Sequence, residues 1–119
     1  MSFGFKYGVP LASNYVYDVR CLPNPFFIPE LSNLEGTDKR IQEFLFNQNQ
    51  VQDFWNHFVD FVNFTLEKSY QEGHWLVTVA VGCTGGRHRS VALVEKLATL
   101  QKPEYSFIIK HRDINKDKE

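Results

Sequence analysis

Hydrophobic positions along the chain follow two periods, and the switches between them mark out its elements. Residues 75–81 read Trp-Leu-Val-Thr-Val-Ala-Val, a short β-branched run with almost no polar break. That is the pattern of a strand buried on both faces. After a polar, glycine-rich turn, Val91, Val94, Leu97 and Ala98 recur at helical steps. Upstream, Val51, Phe54, Trp55, Phe58, Val62 and Leu66 form a longer stripe with the same period. Phe61 and Phe64 widen that stripe, so part of it is expected to meet a second subunit. Asp38 is placed to cap a first helix from Lys39, with Ile41, Phe44 and Leu45 inward. The tract 47–50 predicts a break between the two helices. Gly73 stands where a helix ends.

Three further segments read as strands. Ser2–Gly8 alternates Phe3 and Phe5 with smaller or polar neighbours. Tyr15–Arg20 is β-rich, and Tyr105–Lys110 is a final β-type run. Leu22-Pro23-Asn24-Pro25 is a stiff extended turn, since each proline restricts itself and its predecessor. Phe26-Phe27-Ile28 is expected to pack onto the core. The resulting expectation is one α/β domain over residues 1–119: a small three-layer unit with a mostly parallel sheet and a strand–loop–helix anion cradle.

Composition narrows the function classes. The formal net charge of −1 argues against a generally basic nucleic-acid binder, so any RNA contact must use a local patch. Two cysteines, Cys21 and Cys83, make no disulfide framework. With no signal peptide or apolar span in the sequence, a cytoplasmic location and no membrane partner are expected.

The chemistry concentrates in Gly82–Ser90, Gly-Cys-Thr-Gly-Gly-Arg-His-Arg-Ser. In open α/β sheets ligands sit at the carboxyl ends of strands, where this turn lies. Its glycines let successive N–H groups converge into a nest, and the following helix directs its positive end there. Arg87, His88 and Arg89 add donors, and Thr84 and Ser90 add hydroxyls. Asp18 and Arg20 share a strand face. Asp18 then pairs with Arg20 or Arg89, or orients a ligand amine. Cys83 and Arg89 also satisfy C-x5-R-S, the spacing of a tyrosine-phosphatase loop. In that reading Cys83 is the nucleophile, Arg89 the clamp, and Asp18 or Asp113 the general acid. No cofactor or metal is expected in either case.

The loop also carries a resemblance. Gly82–Val91 is similar to the central motif of the RapZ (YvcJ-like) proteins. Ser2–Pro10, Tyr17–Pro25, Leu34–Asp38 and His111–Lys116 resemble further blocks of that family's C-terminal half, in family order. The family's other half is a P-loop nucleotide-binding domain, and no G-x-x-x-x-G-K-[ST] occurs in this sequence. The resemblance implies an α/β regulatory domain that senses an amino-sugar phosphate such as glucosamine-6-phosphate. It further implies RNA binding, as in RNase adapter proteins, and a homo-oligomer. It carries ligand roles onto Lys6, Asp18, Arg20, Asn24, Cys83, Thr84, Gly85, Gly86, His88 and Arg89. RNA would meet Lys110, His111, Arg112, Lys116 and Lys118, with the Arg87–Arg89 corner. The chain departs from the family at Phe26, where RNA-regulating relatives commonly carry a histidine thought to touch the ligand.

Overall fold

The computed structural model describes residues 1–100 and 102–116. Three short parallel strands, β1 (Ser2–Gly4), β2 (Tyr15–Asp18) and β3 (Val79–Cys83), lie in the order β1-β3-β2. The strand latest in sequence is thus central. Ser2 pairs with Val81 and Gly4 with Cys83 on one side, Tyr15 with Val79 and Asp18 with Gly82 on the other. Three helices, α1 (Lys39–Phe46), α2 (Asn49–Gln71) and α3 (Arg89–Leu97), complete the α/β fold expected from the two periods.

Local chemistry explains the helix ends. Asp38 accepts the Arg40 N–H at 2.9 Å and caps α1. Asn47 and Gln48 separate α1 from α2, where the polar tract predicts a break. Gly73 follows α2 with φ +81°, a conformation closed to most side chains. Val81 and Cys83 join Ile41, Leu45, Phe58, Val62, Leu93 and Leu97 in one core. On β3's other face a side chain at Gly82 would strike the rings of Phe3 and Phe5.

Several β-type segments depart from expectation. β1 is only three residues long, and Phe5–Tyr7 turns into a 3-10 helix. Trp75–Thr78 lies outside β3, and Trp75 and Leu76 are 92% and 66% exposed rather than buried. Residues 106–110 make no strand; the chain rejoins the sheet through a single parallel bridge, His111 to Ser2. Strand propensity is realised only where a partner backbone runs alongside, and here, among the described residues, main-chain contact with the sheet is confined to Thr78 beside Asn14 and Tyr15 and to Lys110 beside Ser2. Phe26 and Phe27 sit on a 3-10 turn (Pro25–Phe27) and face solvent rather than the core. Among the described residues no helix is long and apolar enough to cross a membrane.

Candidate functional site

The turn from β3 into α3 is built by close backbone approach. Gly86 has φ +76°, the left-handed region. A Cβ there would come within 2.5 Å of the Gly4 nitrogen, and one at Gly4 would come within 2.5 Å of the Gly85 carbonyl carbon. β1 and the turn therefore touch main chain to main chain. A glycine inside a strand-like sequence is the signal for such contact, and Phe3-Gly4-Phe5 carries it.

Gly4 is itself fixed from the far end of the chain. Its N–H donates to Asp113 Oδ2 at 2.8 Å. Asp113 is completely buried and also holds Arg112 and Lys116, each at 2.8 Å. Burial alone would raise its pKa. The hydrogen bonds from Arg112, Gly4 and Lys116 outweigh that and bring it down to about 2. Arg112 also donates to the carbonyls of Tyr7 and Gly8. Two of the residues expected to bind RNA, Arg112 and Lys116, are thus engaged with Asp113. His111 is engaged too: its Nδ1 lies 2.7 Å from the Ser2 hydroxyl and its Nε2 2.7 Å from Glu95. This Ser–His–Glu chain has the order of a hydrolase relay, but Ser2 is fully buried, so here it fastens the tail to α3. Lys110 is exposed, and Lys118 lies outside the described residues.

Within the loop, the cations divide their work. Arg87 donates to the carbonyls of Asn33 (2.6 Å) and Leu34 (3.3 Å), and Gly36 N–H returns a bond to the Arg87 carbonyl. The segment 33–36 is thereby clasped to the loop. Arg89 is 4% exposed. Its Nη1 donates to the carbonyls of Arg20 (2.8 Å) and Leu22 (3.1 Å), and its Nη2 reaches the Thr84 hydroxyl at 3.4 Å. Its Nε has no partner among the described residues. His88 is buried, and its Nε2 is likewise unpartnered. Burial holds the His88 pKa below its ordinary value, with Arg87 and Arg89 adding to the effect. The backbone of Leu34 and Ser32 lies near enough to favour the proton, without bonding Nε2.

The backbone donors matter more. Among the described residues, the N–H groups of Gly85, Gly86, His88, Arg89 and Ser90 find no acceptor in the chain. α3 opens on His88 with no side-chain cap. Free donors, a helix N-terminus and a buried guanidinium bonded only to neutral oxygens give a local positive field.

The remaining predicted residues surround this loop unevenly. Asp18 and Arg20 form a bidentate pair at 2.7 Å, about half exposed, with the Arg20 guanidinium 3.9 Å from the Phe5 ring centre. The bonds from Arg20 hold the Asp18 pKa below the usual carboxylate range, and the more distant charge of Arg89 adds to this. Lys6 is exposed, and its N–H donates to the Thr84 carbonyl, so it adjoins the loop. Asn24 is turned inward to cap its own 3-10 turn, accepting from Phe26 N–H at 3.1 Å. Cys83 is 3% exposed, with its Sγ 3.1 Å from the Ser90 hydroxyl. Use of that thiol as a nucleophile would require the loop to open. Sequence reasoning missed Gly4, Asn33 and the structural part played by Asp113; only Gly4 left a local signal.

Comparisons with known proteins identify the family. Residues 1–115 match the RapZ C-terminal domain family. Proteins named nucleotide-binding protein from Bacillus thuringiensis (strain Al Hakam), Bacillus mycoides (strain KBAB4) and Bacillus cereus (strain B4264) are each 44% identical to it over 118 residues. The aligned region is 99% of this chain but 40% of each relative. The chain, which spans less than half the length of these relatives, belongs to the RapZ C-terminal domain family.

Proposed function

We propose that this is a ligand-sensing regulatory domain that binds a phosphorylated small molecule in the loop 84–90. One observation carries the reading: five backbone donors without acceptors surround a buried, carboxylate-free Arg89 at a helix N-terminus. A phosphate monoester supplies the acceptor oxygens and the negative charge that such a site lacks. Thr84, Lys6 and Arg20 stand at its exposed rim. Asp18 faces outward beside it and offers a carboxylate to a ligand ammonium once Arg20 turns to the phosphate. An amino-sugar phosphate of the glucosamine-6-phosphate kind satisfies both demands. The relatives are named for nucleotide binding, and the name describes proteins of which this chain spans 40%.

RNA binding draws less support, because Arg112 and Lys116 are engaged with Asp113 and His111 with Glu95. The test is thermal denaturation with phosphate, glucosamine-6-phosphate, other hexose phosphates and nucleotides. A ligand that binds only the folded chain stabilises it by about 2.7 kcal/mol at a hundred times its dissociation constant. The expected result is a selective rise of the midpoint with the amino-sugar phosphate, reduced at least about tenfold in affinity by Arg20→Ala or Thr84→Ala. Both side chains are exposed, so their loss leaves the fold intact. No rise with any phosphate would reject the proposal.

A further inference from the structure

Residues 29–36 lie outside every helix and strand. Their backbone bonds are mostly local: the N–H groups of Leu31 and Ser32 donate to the Ile28 carbonyl, and that of Leu34 to the Leu31 carbonyl. Leu31 and Leu34 are only partly buried against the core. The segment is a strap laid beside the loop 84–90.

Its attachment to that loop is specific. Three hydrogen bonds join the two, and Arg87 is in each of them. Its Nη2 donates to the Asn33 carbonyl at 2.6 Å, its Nε to the Leu34 carbonyl at 3.3 Å, and its own carbonyl accepts from Gly36 N–H at 2.8 Å. The main chains touch as well. A Cβ at Gly36 would strike the His88 carbonyl and come within 2.7 Å of the Ala92 nitrogen, where α3 begins.

The Arg87 carbonyl and the His88 N–H belong to one planar peptide unit, and it is trans, so they point in opposite directions. Gly36 takes the carbonyl. The N–H finds no acceptor among the described residues. An anion accepting from that N–H polarises the peptide and strengthens the bond at its other end. It also fixes the plane, and with it the carbonyl that Gly36 must reach. Strap and anion thus hold the two ends of one rigid group.

We infer that Arg87 and the 87–88 peptide couple the loop to the strap, so that a bound phosphate tightens residues 33–36 and its presence is expressed on the strap's outer surface. The inference rests on the phosphate reading of the loop. It gives Arg87 a positioning role in place of the direct ligand contact that its charge suggests. Coupling is reciprocal, so a slack strap must lower phosphate affinity by the same factor.

Amide exchange followed by NMR, with and without inorganic phosphate or glucosamine-6-phosphate, tests this. Gly36 is the reporter, because its N–H donates to Arg87. Asn14 and Tyr15, bonded to the Thr78 carbonyl at the other end of β3, are the controls for general stabilisation. At a concentration that raises the denaturation midpoint, Gly36 exchange is expected to slow at least about fivefold more than the controls. Two variants probe the reverse direction. Arg87→Lys keeps the charge and loses the planar fork that spans two carbonyls. Leu34→Ala weakens the strap's packing and leaves the loop's own residues unchanged. Each should speed Gly36 exchange without ligand and lower phosphate affinity about fivefold or more. A midpoint rise without preferential slowing at Gly36 overturns the inference and leaves the phosphate reading standing. So does a Gly36 amide no faster in Arg87→Lys, or native affinity in either variant once its Gly36 exchange has quickened. No midpoint rise with either compound rejects the phosphate reading, and the inference falls with it. The native-chain comparison needs no variant, so a variant that far-UV circular dichroism shows to be unfolded leaves the test intact.

Discussion

The two ends of the sheet contrast in how they use polar groups. At the carboxyl end, three charged side chains are tied to the main chain: Arg89 to Arg20 and Leu22, Arg87 to Asn33 and Leu34, Asp113 to Gly4. What those bonds leave over, among the described residues, are the N–H groups of Gly85, Gly86, His88, Arg89 and Ser90. At the amino end, apolar groups are exposed and, among the described residues, the backbones of 75–77 and 106–109 are unpaired. The first end is organised before any partner arrives. The second is not tied down in this way. A loop that must hold a small anion benefits from rigidity, since ordering it at the moment of binding would subtract from affinity.

The contrast can be broken by substitution. The largest effect is expected from Asp113→Ala, which leaves two cations without their buried partner and frees Gly4. Urea denaturation should show a loss of about 3 kcal/mol, typical of a broken buried pair, together with loss of phosphate binding. Gly86→Ala should follow, at roughly 2 kcal/mol, since it adds strain at positive φ and pushes Gly4 away. Phosphate affinity should fall with it.

Acid gives a smaller and more gradual effect. Asp113 has a folded pKa of about 2 against an ordinary value of 3.8. A depressed carboxyl stabilises the fold above its unfolded pKa and ceases to do so as pH falls through the folded one. On the order of 2 kcal/mol should therefore fade between about pH 4 and pH 2, and Asp113→Asn should flatten that part of the profile. The smallest effect belongs to the amino end. Trp75→Ala in the monomer should change stability by less than about 0.5 kcal/mol, because the ring touches little there. A large loss would mean that the exposed face supports the fold, and the contrast would fail.

The sequence is most legible where local rules suffice. The glycine turn between Val81 and Val91, the Asp38 cap and the break at Asn47 each follow from residues within a few positions. Trp75–Thr78 and Tyr105–Lys110 were not legible, because whether a β-type run pairs depends on which backbone folding brings alongside it. The site shows the same limit. Glycines, hydroxyls and cations in Gly82–Ser90 are what make the loop a candidate for a phosphate. Yet nothing near Arg89 indicates that its guanidinium closes on the carbonyls after β2, and nothing near Asp113 indicates that it supports Gly4 from 109 residues away.

That separation bears on how the chain acquires its shape. β1 and β2 both hydrogen-bond to β3 and not to each other, so neither has a sheet to join until β3 has left the ribosome. The Gly85–Gly86 turn then waits for Asp113 to reach Gly4. Pairings this distant close slowly, and the loops they enclose cost entropy before any contact returns it. During synthesis the helices have the means to form early. The turn at Gly85–Gly86 is the last part to be fixed, so a nascent chain or one clipped before residue 113 should be helical but lack the Asp113–Gly4 bond that supports it, and should not bind phosphate if the proposed function holds.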